Sequence, residues 1–171
     1  MKKELFANAD LCTGCNRCTY ICSAVKEGKF IPEQARISIN NFPHRGYSAP
    51  SLCFQCAKAD CLEACPTSAL YRNAAGVVLV DPVKCNGCSA CVAACTYGVI
   101  ELDARGCAYK CDTCAGDPAC VRYCHPGALT FEVANADLLR LKGAQMKTRS
   151  KIGSPSEKRR AMAQKLLQAA R

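Results

Sequence analysis

The sequence contains few of the residues that normally fill a protein core. It has no Trp, five Phe and six Tyr in 171 residues. No run approaches the roughly 18 apolar residues that a membrane span needs, and the N-terminus lacks the apolar stretch of a secretory signal. We therefore expect a cytoplasmic protein without a membrane span, stabilised largely by something other than side-chain packing.

Motifs of independent catalysis are also missing. The chain has no Gly-x-Gly-x-x-Gly after a strand, no phosphate-binding Gly-Lys-Ser/Thr loop, and only two His. The chain has no Ser-His-Asp or Cys-His combination whose members are available for catalysis, because nearly all its cysteines belong to the motifs described below. We therefore expect a non-catalytic protein that serves a partner enzyme.

Cysteine is the residue that the chain has in excess. Seventeen residues are Cys, a density typical of disulfide scaffolds or of metal-loaded proteins. Because cytosolic thiols are kept reduced, the metal-loaded class is favoured. Sixteen of the seventeen fall into four copies of one motif: Cys12, Cys15, Cys18, Cys22; Cys53, Cys56, Cys61, Cys65; Cys85, Cys88, Cys91, Cys95; and Cys111, Cys114, Cys120, Cys124.

The spacing of each motif suits an iron–sulfur cubane. Three thiolates close together in a tight loop can bind three iron corners, while backbone N–H groups turn toward the cluster sulfides. The fourth cysteine, one helical turn further on, binds the neighbouring cluster in a two-cluster ferredoxin. The motifs should therefore act in pairs, and four 4Fe-4S clusters are predicted.

The segments between the motifs indicate which motifs pair. After Cys65 come Pro66–Leu70, a turn at Gly76 and the apolar run 77–81, which together resemble the hairpin that joins the halves of a bacterial ferredoxin. Motifs two and three then form an inner unit, and motifs one and four form an outer unit. Sequential pairing of one with two and of three with four is the alternative, but neither intervening segment matches the hairpin as well.

The nested arrangement assigns every ligand. The four predicted clusters are held by Cys12, Cys15, Cys18 and Cys124; by Cys111, Cys114, Cys120 and Cys22; by Cys53, Cys56, Cys61 and Cys95; and by Cys85, Cys88, Cys91 and Cys65. The wider gap between Cys114 and Cys120 leaves a three-iron or absent cluster open for motif four.

The predicted fold class is α+β, with two nested bacterial ferredoxin-like units and a C-terminal helical extension. Residues 1–50 and 104–134 form the outer unit, residues 51–103 the inserted inner unit, and residues 135–171 a basic helical tail for partner or self-association. Strands are expected at 6–10, 36–40 and 129–133 in the outer unit.

Residues 1–134 resemble the four-cluster iron–sulfur subunits of molybdenum and tungsten oxidoreductases, formate dehydrogenases, carbon monoxide dehydrogenases and hydrogenases. Within that group, the short chain and basic tail are most similar to the small subunit of bacterial tungsten-dependent aldehyde oxidoreductases. The resemblance implies an electron-transfer subunit that relays single electrons between a catalytic subunit and a flavin subunit or soluble carrier. The alternative is an iron–sulfur sensor or nucleic-acid-binding protein that uses the basic tail.

Three smaller features remain open. Zinc is the alternative metal, although zinc sites combine two Cys-x2-Cys pairs and not a triad followed by a fourth cysteine. Cys107 is either a buried apolar residue or a substitute ligand for motif four. His44 lies in a predicted surface turn, and His125 stands where ferredoxins have Pro, so either a cluster contact or no role is expected for His125.

The positive charge is concentrated in the C-terminal tail. Residues 135–171 hold ten Lys and Arg against two Asp and Glu, within a chain whose net charge is +9. The pattern predicts a short helix at 136–142 ending at Gly143, and a second helix that starts at the Ser154-Pro155-Ser156-Glu157 capping box. We expect the basic face of the second helix, Lys158, Arg159, Arg160 and Lys165, to dock on a partner or on a second copy; a frayed tail is the alternative.

Overall fold

The computed structural model of the protein describes residues 2–170 and has the α+β class that the sequence predicts. Within these residues the chain forms eight strands and six α-helices. The strands are β1 (Lys3–Ala7), β2 (Ile37–Phe42), β3 (Tyr47–Leu52), β4 (Leu70–Arg72), β5 (Val78–Val80), β6 (Glu101–Leu102), β7 (Ala108–Tyr109) and β8 (Leu129–Val133). The helices are α1 (Arg17–Glu27), α2 (Asp60–Glu63), α3 (Ala90–Ala94), α4 (Ala119–Arg122), α5 (Ala136–Lys147) and α6 (Pro155–Ala169).

The strands form four separate antiparallel pairs. β2 pairs with β3, β4 with β5, and β6 with β7, each as a local hairpin. The fourth pair joins the two ends of the cysteine-bearing region, because β1 pairs with β8 in a register that sets Leu5 opposite Phe131. A chain of about 130 residues is therefore closed into a loop by one short sheet.

The predicted outer strands lie close to their observed positions. β8 occupies the expected residues 129–133, and β2 begins one residue later than predicted. The opening strand was placed three residues too late: β1 ends at Ala7 because Asn8 starts a 3-10 turn, its side chain accepting from the N–H of Asp10. An Asn that satisfies a nearby backbone donor competes with strand pairing.

The core is small and is built partly from thiols. Its fully buried side chains include Ile100 and Val78, and Leu5, Ile37 and Leu52 are almost as well covered. Seven cysteines are buried among them: Cys18, Cys22, Cys53, Cys91, Cys95, Cys111 and Cys120. Aliphatic packing therefore surrounds the cysteines and does not form a separate centre.

The C-terminal extension is helical, but its first helix is longer than predicted. α5 continues through Gly143 to Lys147, so the prediction that Gly143 ends the helix is wrong. The last turn is stabilised by tertiary contacts that outweigh the low helix propensity of glycine: Gln145 is buried and donates to the carbonyl oxygen of Ala7. None of the helices in residues 2–170 has the length and apolar character that a bilayer span requires.

The second helix of the extension begins as predicted. Ser154 and Glu157 form a reciprocal capping box, and Pro155 occupies the first helical position. Met162 and Ala163 on α6 are buried against the cysteine-bearing body, where the helix packs on β2 and β3. The helix is therefore part of the fold and is not a frayed tail.

The four basic residues Lys158, Arg159, Arg160 and Lys165 of α6 each contact another part of this chain. Lys158 donates to carbonyl groups at the end of α3, and Arg159 pairs with Glu101. Arg160 lies 5.1 Å from the ring centroid of Phe42, and Lys165 reaches the carbonyl oxygen of Thr148. Lys158 is buried and cannot belong to an outward docking face, whereas Arg160 and Lys165 are exposed, and docking through that part of the helix stays a prediction. The sequence pattern shows a basic stripe but not which surface lies beneath it.

Replacing Gly98 with Ala should loosen α6. Gly98 has a φ of +64°, and an added Cβ would collide with the carbonyl oxygen of Pro155 and lie 2.9 Å from Cβ of Lys158. Gly28→Ala is the matched control, because Gly28 has a φ of +68° and open space around it. The control should lower the unfolding free energy by roughly 1 kcal/mol through backbone strain alone.

For Gly98→Ala we expect roughly 2 kcal/mol more, since the steric overlap adds to the strain. Thermal unfolding of the anaerobically purified variants measures both losses. Hydrogen exchange should show faster exchange of the α6 amides in Gly98→Ala alone. Equal Tm values for the two variants would mean that the contact between Gly98 and α6 is absent.

Candidate functional site: four groups of cysteines

The structure gathers the motif cysteines into four groups that combine different parts of the chain. In group one, Cys12, Cys15 and Cys18 from the first motif line a small cavity together with Cys124 from the fourth. Burial, then the charges of Cys12, Cys124 and Cys15, raises the pKa of the Cys18 thiol to about 12. These four sulfurs therefore face one another across the cavity.

Group two is the counterpart of group one and is formed by Cys22 with Cys111, Cys114 and Cys120. The four residues line a second cavity beside α1. Burial is the main cause that raises the pKa of Cys120, and the charges of the other three members raise it further. Because Cys18 and Cys22 lie one turn apart on α1, this helix contributes a side chain to both groups.

Groups three and four repeat the arrangement in the middle of the chain. In group three, burial and the charges of Cys53, Cys95 and Cys56 raise the pKa of Cys61 to about 12. In group four, burial and the charges of Cys65 and Cys85 raise the pKa of Cys91. The remaining member of the third motif, Cys88, is exposed at the surface.

The loop of every motif uses a left-handed backbone at the same position. The residue before the second cysteine has a positive φ in all four motifs: Gly14 at 72°, Gln55 at 49°, Gly87 at 72° and Thr113 at 59°. Alternation of right- and left-handed residues turns successive N–H groups toward one side and forms a concave site for an anion, as found in iron–sulfur proteins. The loops thus supply donors as well as thiols.

Backbone N–H groups also donate hydrogen bonds to one cysteine sulfur in each motif. The acceptors are Cys22, Cys65, Cys85 and Cys124. The N–H groups of Leu129 and Arg36 donate to the sulfurs of Cys124 and Cys22 at 3.3 Å and 3.2 Å. At Cys65 burial raises the pKa, but hydrogen bonds from Leu70, Thr67 and Ala69 outweigh it and lower the pKa overall. Hydrogen bonds of this kind stabilise a thiolate.

The Ala108 N–H likewise donates to Cys85 at 3.4 Å, and together with the Gly87 N–H it lowers the pKa of that thiol. Thiolate-stabilising donors therefore serve motifs one, two, three and four. Four thiols around a cavity, with backbone donors aimed inward, fit the donor set that an iron–sulfur cubane requires. Within residues 2–170, no three Cys, His, Asp or Glu side chains are placed to hold a single metal ion.

Comparison with known families decides the class of the site. Residues 45–134, more than half of the chain, match the family described as the 4Fe-4S dicluster domain. The chain belongs to this family. The cysteines of residues 45–134 therefore lie in a 4Fe-4S dicluster domain, and the family match does not specify which thiols bind a cluster or how many clusters the whole chain carries.

Curated relatives of this dicluster protein include subunits of oxidoreductases. The chain is 42% identical over 119 residues to the aliphatic sulfonate oxidoreductase polyferredoxin-like subunit of Pyrococcus furiosus, covering 68% of each chain. It is 38% identical over 138 residues to the thiosulfate reductase electron transfer subunit of Salmonella typhi, covering 70% of each. It is 40% identical to NADH-dependent phenylglyoxylate dehydrogenase subunit beta of Aromatoleum evansii, but over only 27% of that protein.

Among solved structures, the chain is similar to one in the active site complex BamBC of benzoyl coenzyme A reductase as isolated. The identity is 22%, the TM-score is 0.46, and the match covers 85% of this chain and 87% of the other.

Charge interactions between cysteines of different groups indicate which groups of the dicluster protein are close together. Cys18 of group one is among the charges that raise the pKa of Cys120 in group two, after burial. After burial, Cys53 of group three is the largest cause that raises the pKa of Cys111 in group two to about 12. Group two is therefore close to both group one and group three, and the two exposed cysteines are Cys15 of the first motif and Cys88 of the third.

The seventeenth cysteine lies beside group four and not beside motif four. Cys107 is half-buried next to β7, its thiol donates to the carbonyl oxygen of Ala108 at 3.7 Å, and its pKa is raised by burial and then by the charge of Cys85. The suggestion that it substitutes for a ligand of motif four is therefore wrong. His44 is exposed in a 3-10 turn at Pro43–Arg45, as predicted, and His125 is exposed as well.

Two residues of the site carried no signal that sequence reasoning could use. Gln55 adopts a left-handed backbone without being glycine, and its side chain donates to the carbonyl oxygen of Cys111 at 2.8 Å and accepts from the N–H of Val78 at 2.9 Å. It thereby ties motif two to motif four. Lys110 is buried at the same junction, although a lysine beside a cysteine motif is normally expected to be exposed.

Burial disfavours the thiolate form of the motif cysteines unless a bound cation offsets the negative charge. Burial raises the pKa of Cys18, Cys61 and Cys111 to about 12, and mutual repulsion adds to the shift. Near neutral pH these thiols are therefore protonated in the protein without iron. These thiols would have to release their protons to hold iron, so cluster binding would be coupled to pH and to folding.

Thr113 allows a test of the loop geometry. Thr113→Pro should abolish the cluster of group two, because proline fixes φ near −65° and removes the N–H that faces Cys111. Thr113→Gly should retain it, since glycine adopts the φ of 59° without strain. Iron per folded chain, with folding checked by circular dichroism, should fall by about four atoms in the proline variant only. Full iron content in Thr113→Pro would show that the left-handed loop is dispensable.

Proposed function

We propose that this chain is an electron-transfer subunit that relays single electrons through four 4Fe-4S clusters. The observation that carries the proposal is the composition of the four cysteine groups. Groups one, two and three each combine three cysteines of one motif with the fourth cysteine of another, and in group four Cys65 of the second motif joins Cys85 and Cys91 of the third, as a ferredoxin cluster pair requires. When bound, each cluster would supply one-electron redox chemistry, and the protein supplies the ligands, the donors and the burial.

We further propose the nested organisation of two ferredoxin-like units. The pairing of β1 with β8 supports an outer unit made of residues 1–50 and 104–134, since it joins the two ends of that unit. The β4–β5 hairpin supports an inner unit at 51–103, since it links motifs two and three. The basic extension, 135–171, packs on both units through Ala7 and Cys95.

The order of the groups supports a linear path with two ends. Group one is close to group two, and group two to group three, while groups three and four share the inner unit. The exposed cysteines Cys15 and Cys88 lie in the two terminal groups. Electrons would therefore enter near one of these residues and leave near the other.

A catalytic oxidoreductase subunit is the proposed partner at one end. The similarity to the polyferredoxin-like subunit of the Pyrococcus furiosus aliphatic sulfonate oxidoreductase and to the Salmonella typhi thiosulfate reductase subunit supports this class. Within the class we propose a tungsten-cofactor aldehyde oxidoreductase, as the sequence resemblance implies. A flavin subunit or a soluble carrier would meet the other end, in the cytoplasm, where reduced thiols can receive iron.

Metal analysis tests the cluster count. Strictly anaerobic purification should yield about sixteen iron and about sixteen sulfide per chain, from four clusters with four of each. The absorbance should bleach on reduction with dithionite. A colourless protein that contains zinc, or a stable content of about eight irons, would contradict the four-cluster relay.

Pairs of ligand substitutions test the nested assignment. Cys22→Ser and Cys111→Ser should each remove the cluster of group two, so the double variant should lose about four irons, no more than either single variant. Cys12→Ser with Cys22→Ser is the control, because these cysteines share a motif but belong to different groups. This control should lose about eight irons. Sequential pairing of the motifs would instead leave the Cys22 and Cys111 losses additive.

A further inference from the structure

Two lysines are buried in the part of the chain that the structure describes. Lys110 is 6% exposed and Lys158 is 3% exposed, and no other charged side chain in residues 2–170 is buried to this degree. They come from distant segments, one just before motif four and the other on α6. Long cationic side chains rarely enter a protein interior without a negative partner.

Lys110 lies at the junction between groups two and three. Its Nζ atom donates to the carbonyl oxygens of Val78 and Cys111, the latter at 2.9 Å, and approaches Oε1 of Gln55 at 3.5 Å. Its charge opposes the increase that burial causes in the pKa of Cys61 and of Cys111. The ammonium group is therefore electrostatically close to a ligand of group three and to a ligand of group two.

Lys158 approaches group three from the opposite segment of the chain. Its Nζ atom donates to the carbonyl oxygens of Ala93 at 3.0 Å and of Cys95 at 3.1 Å, and approaches that of Val92 at 3.5 Å. These carbonyls belong to the end of α3, where helical carbonyls lack partners. Cys95 is itself a member of group three.

Neither ammonium group has a carboxylate partner within residues 2–170. Other cations near cysteines are paired: Lys26 with Asp112 at 2.7 Å and Arg36 with Glu27 at 2.5 Å. Carbonyl oxygens satisfy the three N–H donors of each lysine, but they carry only partial charges. A full negative charge is still required to offset the cost of burying each cation.

We propose that Lys110 and Lys158 have the cluster of group three as their shared counter-charge, and that this cluster consequently has the highest reduction potential of the four. The inference rests on the proposed four-cluster function and deepens it. An oxidised cluster with its four thiolates carries roughly −2, and reduction adds one electron without forming or breaking a bond. Two nearby unpaired cations stabilise the more negative state, and burial weakens the screening by water.

The surroundings of the terminal groups differ from those of group three. The main charges acting on Cys18 of group one are those of Cys12, Cys124 and Cys15. Those acting on Cys91 of group four are Cys65 and Cys85. Fellow cysteines raise the pKa of Cys61 in group three as well, but Lys110 opposes them there, and no cation is among the causes at Cys18 or Cys91. The first electron to enter the chain should therefore rest in group three, inside the path and away from both exposed ends.

Redox titration of the full-length, cluster-loaded protein, monitored by electron paramagnetic resonance, tests the inference. Lys110→Gln and Lys158→Gln each remove the charge but keep a hydrogen-bond donor. Both should make the most positive midpoint potential more negative, lowering the reduced-to-oxidised ratio at fixed potential about tenfold, which is 59 mV for a one-electron couple. Lys110→Arg and Lys158→Arg should leave that midpoint close to the wild-type value.

Lys58→Gln is the matched control. Lys58 is exposed and lines the same surface cavity as Cys56 and Cys61, so its removal makes the same change in net charge while water screens the effect. A lysine that only caps carbonyl groups would change the Tm but not the potential. The charge effect therefore has to be specific to the two buried positions.

Each outcome decides the inference. If the Gln variants keep their iron and sulfide but leave every midpoint unchanged, or if the two variants shift different signals, the shared counter-charge is wrong while the relay stands. If wild-type protein lacks four clusters, the proposed function itself fails. If Lys110→Gln does not fold, the sign of the shift in midpoint potential is still measured by comparing Lys158→Gln with Lys158→Arg and with Lys58→Gln.

Discussion

The fold depends on the requirement that each group of thiols be assembled from two distant parts of the chain. Cys124 joins Cys12, Cys15 and Cys18, and Cys22 joins three cysteines of the fourth motif. No motif can complete its own group, so a local loop cannot bind a cluster before the chain has folded. Conversely, a core this small, with thiols in its centre, gains much of its cohesion from whatever binds those thiols.

The same requirement explains why neighbouring groups are close together. α1 carries Cys18 and Cys22 four residues apart, about 6 Å along the helix axis. Because each belongs to a different group, a single rigid turn fixes the separation of two groups. Gln55 does the equivalent at the junction of the units, since it bonds Cys111 and Val78 at once. Short rigid links of this kind hold neighbouring groups at a fixed separation, as the proposed electron relay requires.

The iron–sulfur class of the chain could be predicted from the sequence, because ligand spacing reflects the size of the cluster and not the details of packing. The capping box at Ser154 and the strand at 129–133 were also predictable, since both depend on local chemistry. The end of α5 was not, because burial of Gln145 against β1 outweighs the preference of Gly143 for a helix end. Propensity gives way where a tertiary contact contributes more.

Charge was the property least visible in the sequence. The tail carries most of the net charge, which favoured an external partner, yet Lys158 is buried and Arg159 is paired with Glu101 within the same chain. The net positive charge calculated from a sequence omits bound clusters. When cysteines bind anionic clusters, the negative charge of the clusters can offset basic residues of the same chain. The number of lysines therefore says little about external partners until the negative charge of the clusters is included. In the proposed protein, that negative charge offsets the positive charge of the two buried lysines.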